Sequence, residues 1–270
     1  MQCVHINARS AAIRLLAFLL AALLLLLLAS GCTTATRVAD RDVFDAGYAA
    51  LESGRYSQAV MDFSRYLRSD PGSPDRGEVY YYRGQALAHL QRPDAAKADF
   101  QRALGAGVRS PIDQFTHVAL GNVYYERGDD VRALKHYAIV LEDPEDDVPV
   151  PMVLLRTGRS LQRIGQWEKG DAYLKHLVTK YPESGAAQAA RRYVSADGFT
   201  VQTGAYASRT TANDQARRVR RAGFAPQLAT VRSGGRRLTA VRVDAGRTYA
   251  DALSTAGRLR QAGFEALIVP

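Results

Sequence analysis

Gln202, Gly204 and Tyr206 stand two residues apart in Phe199-Thr-Val-Gln-Thr-Gly-Ala-Tyr206, and Arg242 lies in Leu238-Thr-Ala-Val-Arg-Val243. Both stretches alternate apolar and polar residues, the pattern of a half-buried strand. On that alternation Val201, Thr203, Ala205, Val241 and Val243 face a core, while Thr200, Gln202, Gly204, Tyr206, Ala240 and Arg242 face away. A face with an amide, an aromatic ring and a guanidinium suits a flat polar polymer. The ring takes an apolar sugar or base face, and the amide and guanidinium take hydroxyls or carboxylates. Bond-breaking chemistry has no comparable support. His89, His117, His136 and His176 are scattered singly, with no H-E-x-x-H pair, and the only acid near that face is Asp244. The chain reads as a binding protein without catalytic residues, cofactor or metal.

The elements that must hold these residues are duplicated with a period of forty. Val201 pairs with Val241, Ala205 with Ala245, Arg218 with Arg258, and Ala222-Gly223-Phe224 with Ala262-Gly263-Phe264. Each half is a strand, a helix ended by Gly223 or Gly263, and a short strand, near Pro226–Val231 and Glu265–Val269. Ser233-Gly234-Gly235 joins the halves, which gives βαββαβ with both helices on one face of a four-stranded antiparallel sheet. Residues 197–270 hold 12 Arg, no Lys and 5 acids, a balance of +7, whereas residues 33–196 hold 22 basic and 22 acidic residues. An RNA-binding sheet wants aromatics on its third strand, and Leu238–Val243 has none. Nucleic acid is therefore not expected as a partner. Arg217, Arg218, Arg220 and Arg221 fall on the first helix and read as a solvated face.

Val201-Gln202-Thr203-Gly204-Ala205-Tyr206 resembles the first strand of the sporulation-related repeat (SPOR) domain of bacterial cell-division proteins, commonly Val-Gln-x-Gly-Ala-Phe/Tyr. The two Ala-Gly-Phe closures and the terminal Val-Pro match as well, so the resemblance spans about 197–270. It implies that the open sheet binds peptidoglycan glycan strands stripped of their stem peptides. Gln202, Tyr206 and Arg242 are then the main contacts, with Gly204 on the same strand and Ser208 in the next loop. The third strand departs from the family pattern, since Asp244-Ala245-Gly246 follows Val243 and no aromatic stands near Thr239.

A second register runs through the middle of the chain. Gly47, Gly84, Gly121 and Gly158 recur every thirty-seven residues. Twelve residues after each stands a small residue (Ala59, Ala96, Ala133, Gly170), and sixteen after, a large apolar one (Phe63, Phe100, Tyr137, Leu174). Seven after stand Gly54, Gly128 and Gly165 in three of the four units. Small residues let two helices approach closely, and a loop glycine ends the first helix of each pair. Each unit reads as an antiparallel helix pair and resembles the tetratricopeptide repeat over about residues 40–184, which implies protein binding. Gly185–Ala196 reads as a capping helix, and the repeat region as 43–196. Steps of three and four along the first helices place Phe44, Tyr48, Tyr81, Gln85, Phe115, Asn122, Tyr125, Met152 and Arg159 on a partner-binding groove.

The amino terminus reads as an export signal. Arg9 and Arg14 precede the apolar run Leu15–Leu28, which is too short to span a bilayer but fits a secretory signal. Ala29-Ser30-Gly31-Cys32 resembles the bacterial lipobox, which implies cleavage after residue 31, lipidation of Cys32 and a tether over 32–42. Cys3 would leave with the signal, so no disulfide remains. Thr33, in place of an inner-membrane retention aspartate, points to the outer membrane. The expectation is thus an α+β multidomain chain: an all-α repeat solenoid followed by a small βαββαβ domain. Its expected work is that of a lipid-anchored envelope scaffold in division or wall remodelling. The alternative is an outer-membrane assembly lipoprotein, since the fourth repeat ending Leu177-Val-Thr-Lys-Tyr-Pro182 is similar to theirs.

Overall fold

A computed structural model describes residues 41–69 and 71–270; the signal 1–31, Cys32 and the tether up to residue 40 lie outside the described residues. The chain forms two compact bodies, one ending at Val108 and the other beginning at Arg109. The first contains helix α1 (41–52), α2 (Tyr56–Ser69), α3 (Arg76–His89) and α4 (Pro93–Gly105). The second contains α5 (Ile112–Glu126), α6 (Asp130–Glu142), α7 (Val150–Arg163), α8 (Trp167–Lys180) and α9 (Gly185–Ala190). It continues into β1 (Thr200–Tyr206), α10 (Arg209–Arg221), β2 (Pro226–Ser233), β3 (Arg236–Asp244), α11 (Tyr249–Gln261) and β4 (Leu267–Val269). Among the described residues no helix is long and apolar enough to cross a membrane.

The thirty-seven-residue register is a packing rule. A Cβ at Gly47 would stand 2.9 Å from the Phe63 ring, and one at Gly84 2.6 Å from Phe100. At Gly121 and Gly158 it would run into Tyr137 and Leu174. Each unit therefore closes by seating its own large residue on its own glycine. In the fourth unit Gly170 adds a second close approach, its Cβ position lying 2.7 Å from the Gly158 carbonyl oxygen. Gly54, Gly128 and Gly165 take left-handed backbone at φ 72°, 75° and 83°, and in the second unit Gln91 does the same at φ 57°.

The capping helix is shorter than its alanine run suggests and ends at Ala190. Ser184 caps its start, its Oγ accepting from the Ala187 N–H. Beyond Ala190 the chain turns so that Tyr193 and Val194 pack against Leu154, Leu174 and Leu177. There Gln162 Nε2 donates to the Tyr193 carbonyl at 2.9 Å. Continuing the helix to Ala196 would forgo both contacts.

The carboxy-terminal domain forms one antiparallel sheet in the order β2-β3-β1-β4. Gly234 and Gly235, at φ 55° and 75°, make the two-residue turn between β2 and β3. Val201, Val241 and Val243 meet Ala212, Ala216 and Val219 of α10 and Ala252, Ala256 and Leu259 of α11 in one core. The two halves cross over each other. Arg218 lies 5.9 Å from the Phe264 ring centre and Arg258 5.3 Å from that of Phe224.

This core extends into the last repeat. Trp167, 3% exposed, donates its indole N–H to the Arg247 carbonyl at 2.7 Å and sets its ring edge-on to Phe199 at 4.9 Å. Phe199 in turn meets Tyr249, over which Arg163 of α7 lies at 4.9 Å. Arg163 is held from the other side by Asp130, at 3.3 Å.

Candidate functional site

The open face of the sheet differs from strict alternation at one point. Gln202 pairs with Arg242, but Gly204 pairs with Val241, so two residues of β1, Thr203 and Gly204, oppose one residue of β3. Such a bulge shifts the phase of every following side chain. Ala205, opposite Ala240, joins Gln202 and Arg242 on the open face. Tyr206, opposite Thr239 on the face of Val241 and Val243, crosses to the helix side and packs against the core. The expected aromatic contact is therefore a packing residue. Gly204 serves it, because a Cβ there would run into the Tyr206 ring and hydroxyl. Ser208 caps α10, its Oγ accepting from the Thr211 N–H.

What remains on the open face is ordered in rows across the strands. One row reads Gln227, Arg242, Gln202, Leu267. The next reads Ala229, Ala240, Ala205, and Val231 opposite Leu238 closes the far side. This row, with Ala240 fully buried between the half-buried Ala229 and Ala205, forms a shallow floor between a polar wall and an aliphatic one. Arg242 Nε donates to Gln202 Oε1 at 3.4 Å, and both side chains are half-buried. Beyond them Asp244 stands opposite Thr200, its Oδ1 accepting from the Gly246 N–H at 3.0 Å. The last repeat meets the domain at Arg247, Tyr249 and Phe199, on the helix side, which leaves these rows clear of it. The floor can take the apolar face of a sugar, and the polar wall can take its hydroxyl and charged substituents.

The expected groove residues divide between surface and core. In the first body Phe44 packs edge-on among Phe63, Tyr66 and Tyr82 at 5.9–6.1 Å. Tyr81 is 6% exposed, and burial pushes its hydroxyl up to about 12. Tyr81 is a core residue and Phe44, half-buried, packs against the core, because the first helix of a unit packs on its own partner and on the next unit at once. Tyr48 stays exposed with its edge against Tyr82, and Gln85 Nε2 donates to the Tyr81 hydroxyl.

In the second body Phe115 is half-buried, Met152 is exposed, and Asn122 Oδ1 accepts from the Tyr137 hydroxyl at 2.9 Å. Tyr125 lies beneath Arg156 and Arg163, at 5.0 and 4.9 Å. Arg159 lies 3.7 Å from the Tyr193 ring centre and donates to Gln162 Oε1. Burial, with Arg163 adding to it, lowers the pKa of Arg159. The arginine layer over Tyr125 was not foreseen; its signal is the i, i+3, i+7 spacing of Arg156, Arg159 and Arg163.

Comparison with known proteins finds two kinds of domain. Residues 44–111 and 152–184 match tetratricopeptide repeat models, and residues 195–270 match the SPOR domain. The pair α5–α6 lies between the two matched repeat spans. A search of curated proteins gives no match. Among solved structures, the pilF protein of Pseudomonas aeruginosa is 19% identical at a TM-score of 0.49, over 56% of this chain and 65% of that one. A tetratricopeptide repeat protein from Parabacteroides merdae is 15% identical at 0.49, over 57% and 58%. MamA from AMB-1 is 22% identical at 0.48, over 58% and 80%. The chain thus spans less than two thirds of each of the first two structures. It carries tetratricopeptide repeats over residues 44–111 and 152–184 and a SPOR domain over residues 195–270.

Proposed function

We propose that this protein is a cell-envelope scaffold that joins peptidoglycan to a partner protein. SPOR domains bind peptidoglycan and tetratricopeptide repeats bind proteins, and both are typically non-catalytic. The observation that carries the reading is the open face of the SPOR domain: an alanine floor beside the row Gln227, Arg242, Gln202. In this proposal the glycan strand lies on that floor, with Gln202 and Arg242 on its polar edge. The repeats recruit an envelope protein through the exposed Tyr48 in the first body and the exposed Met152 in the second, with half-buried Arg156 and Arg159 further along the same helix. Cys32 carries the lipid that fixes the chain to the outer membrane, and the site of action is division or wall remodelling. A tethered weak binder meets the wall at high effective concentration, so modest glycan affinity suffices.

Sedimentation tests the glycan claim. Residues 33–270 should pellet with amidase-treated sacculi well above the level seen with intact ones, and Gln202→Ala should reduce the pelleted fraction. Equal or absent pelleting of the unaltered protein defeats it. A fluorescent fusion of the full chain should gather at midcell in dividing cells, and an even peripheral signal defeats the division role.

A further inference from the structure

We infer that the SPOR face reads the charge of its strand: Arg242 binds the lactyl carboxylate that appears on the glycan when a stem peptide is removed. The inference rests on the glycan reading above and adds to it the chemical group that separates stripped from peptide-bearing strands. In an intact strand that carboxyl group is locked in a neutral amide. Hydrolysis of the amide leaves one anionic carboxylate on every second sugar, so a stripped strand is a regular polyanion.

Three observations point to such a ligand. Arg242 stands in the middle of the open face with neutral amides on both sides, Gln202 and Gln227. Among the described residues it makes no salt bridge, and its hydrogen bond to Gln202 is long, at 3.4 Å. The acid on the same face, Asp244, turns Oδ1 to the Gly246 N–H. A half-buried guanidinium without a carboxylate keeps most of its five donors for an incoming one, and two of them match a carboxylate in parallel. The rest of the domain agrees. Its 12 arginines, absent lysines and 5 acids attract polyanions and use the planar fork that recognises carboxylates. The alanine row beside Arg242 leaves room for the sugar that carries the group.

The test uses the protein from residue 33 to 270 and strands released by amidase, either untreated or with their carboxylates capped as methylamides. Binding is measured by titration calorimetry at low and moderate salt. Untreated strands should bind at least tenfold tighter than capped ones, with a gap that narrows as salt rises. Arg242→Gln should remove the gap between untreated and capped strands, and Arg242→Lys should keep part of it. Asp244→Asn should tighten untreated strands alone, which provides a reading of opposite sign if Arg242→Gln does not fold. Equal binding of untreated and capped strands by the unaltered protein overturns the carboxylate role and leaves the glycan reading standing. Polyphosphate binding as tightly as untreated strands overturns recognition of a sugar carboxylate, and failure to bind either strand overturns both readings.

Discussion

The repeat helices and the SPOR domain are both built by repetition, with periods of thirty-seven and forty residues, yet the copies relate in opposite ways. In the helices each unit closes on itself, Phe63 on Gly47, Phe100 on Gly84, Tyr137 on Gly121 and Leu174 on Gly158. In the SPOR domain each half closes on the other. β1 of the first half pairs with β3 and β4 of the second, and Arg218 and Arg258 reach across to Phe264 and Phe224. Self-closing units spread stability along the chain, whereas crossed halves stand or fall together. The proposed glycan surface, split between β1 and β3, belongs in the second kind of structure, because neither half can lose it separately.

Four substitutions test this contrast. Phe199 is 1% exposed and touches Trp167 and Tyr249, so Phe199→Ala should cost about 3–5 kcal/mol. Urea unfolding should show the whole SPOR domain melting in one earlier step; loss of one half alone would break the contrast. Gly121→Ala pushes a methyl group into the Tyr137 ring and should cost about 1–3 kcal/mol. Hydrogen exchange should then rise in α5 and α6 while β1 and β3 keep their protection.

A smaller, pH-dependent effect belongs to the same unit. His117 and His136 place their Nδ1 atoms 2.9 Å apart, so one ring donates and the other accepts. Burial lowers the pKa of both, and with the charge of His117 pushes His136 down to about 4. Asp113 opposes the shift at His117. The folded form therefore favours neutral rings. Their stabilisation is complete above the unfolded value of about 6.5 and is lost as pH falls toward 4. His136→Phe should flatten that acid limb in melting curves of the repeat region. The smallest effect is a gain. Gln91→Gly relieves a left-handed residue at φ 57° and should add about 1 kcal/mol, read as a higher melting temperature.

Much of this architecture is legible in residue spacing. The register of a glycine and a large apolar residue gives all four helix pairs, including α5–α6, and the period of forty gives the order of strands and helices in the SPOR domain. Two kinds of error remain, each with a physical cause. Period-two alternation assumes one residue against one, and the bulge at Thr203–Gly204 breaks that assumption. The signal was present, since a lone glycine inside a strand pattern often marks a bulge. Reading it so would have placed Ala205 on the open face and Tyr206 on the core. In the helices, an aromatic ring looks the same at a groove and at a packed seam. Phe44 and Tyr81 needed the neighbouring Phe63, Tyr82 and Phe100 to be assigned. Likewise, only the folded sheet and helices bring Arg218 to Phe264, forty-six residues apart.

The Trp167 joint has a mechanical consequence. An indole wedged against Phe199 and bonded to the Arg247 carbonyl leaves no slack linker between the final repeat and the sheet. Tension applied to one is transmitted to the other through side chains, and under the proposed function a partner held by the later helices would keep a constant distance from the glycan. The second body then acts as a rigid spacer, fixing a gap as well as making an attachment.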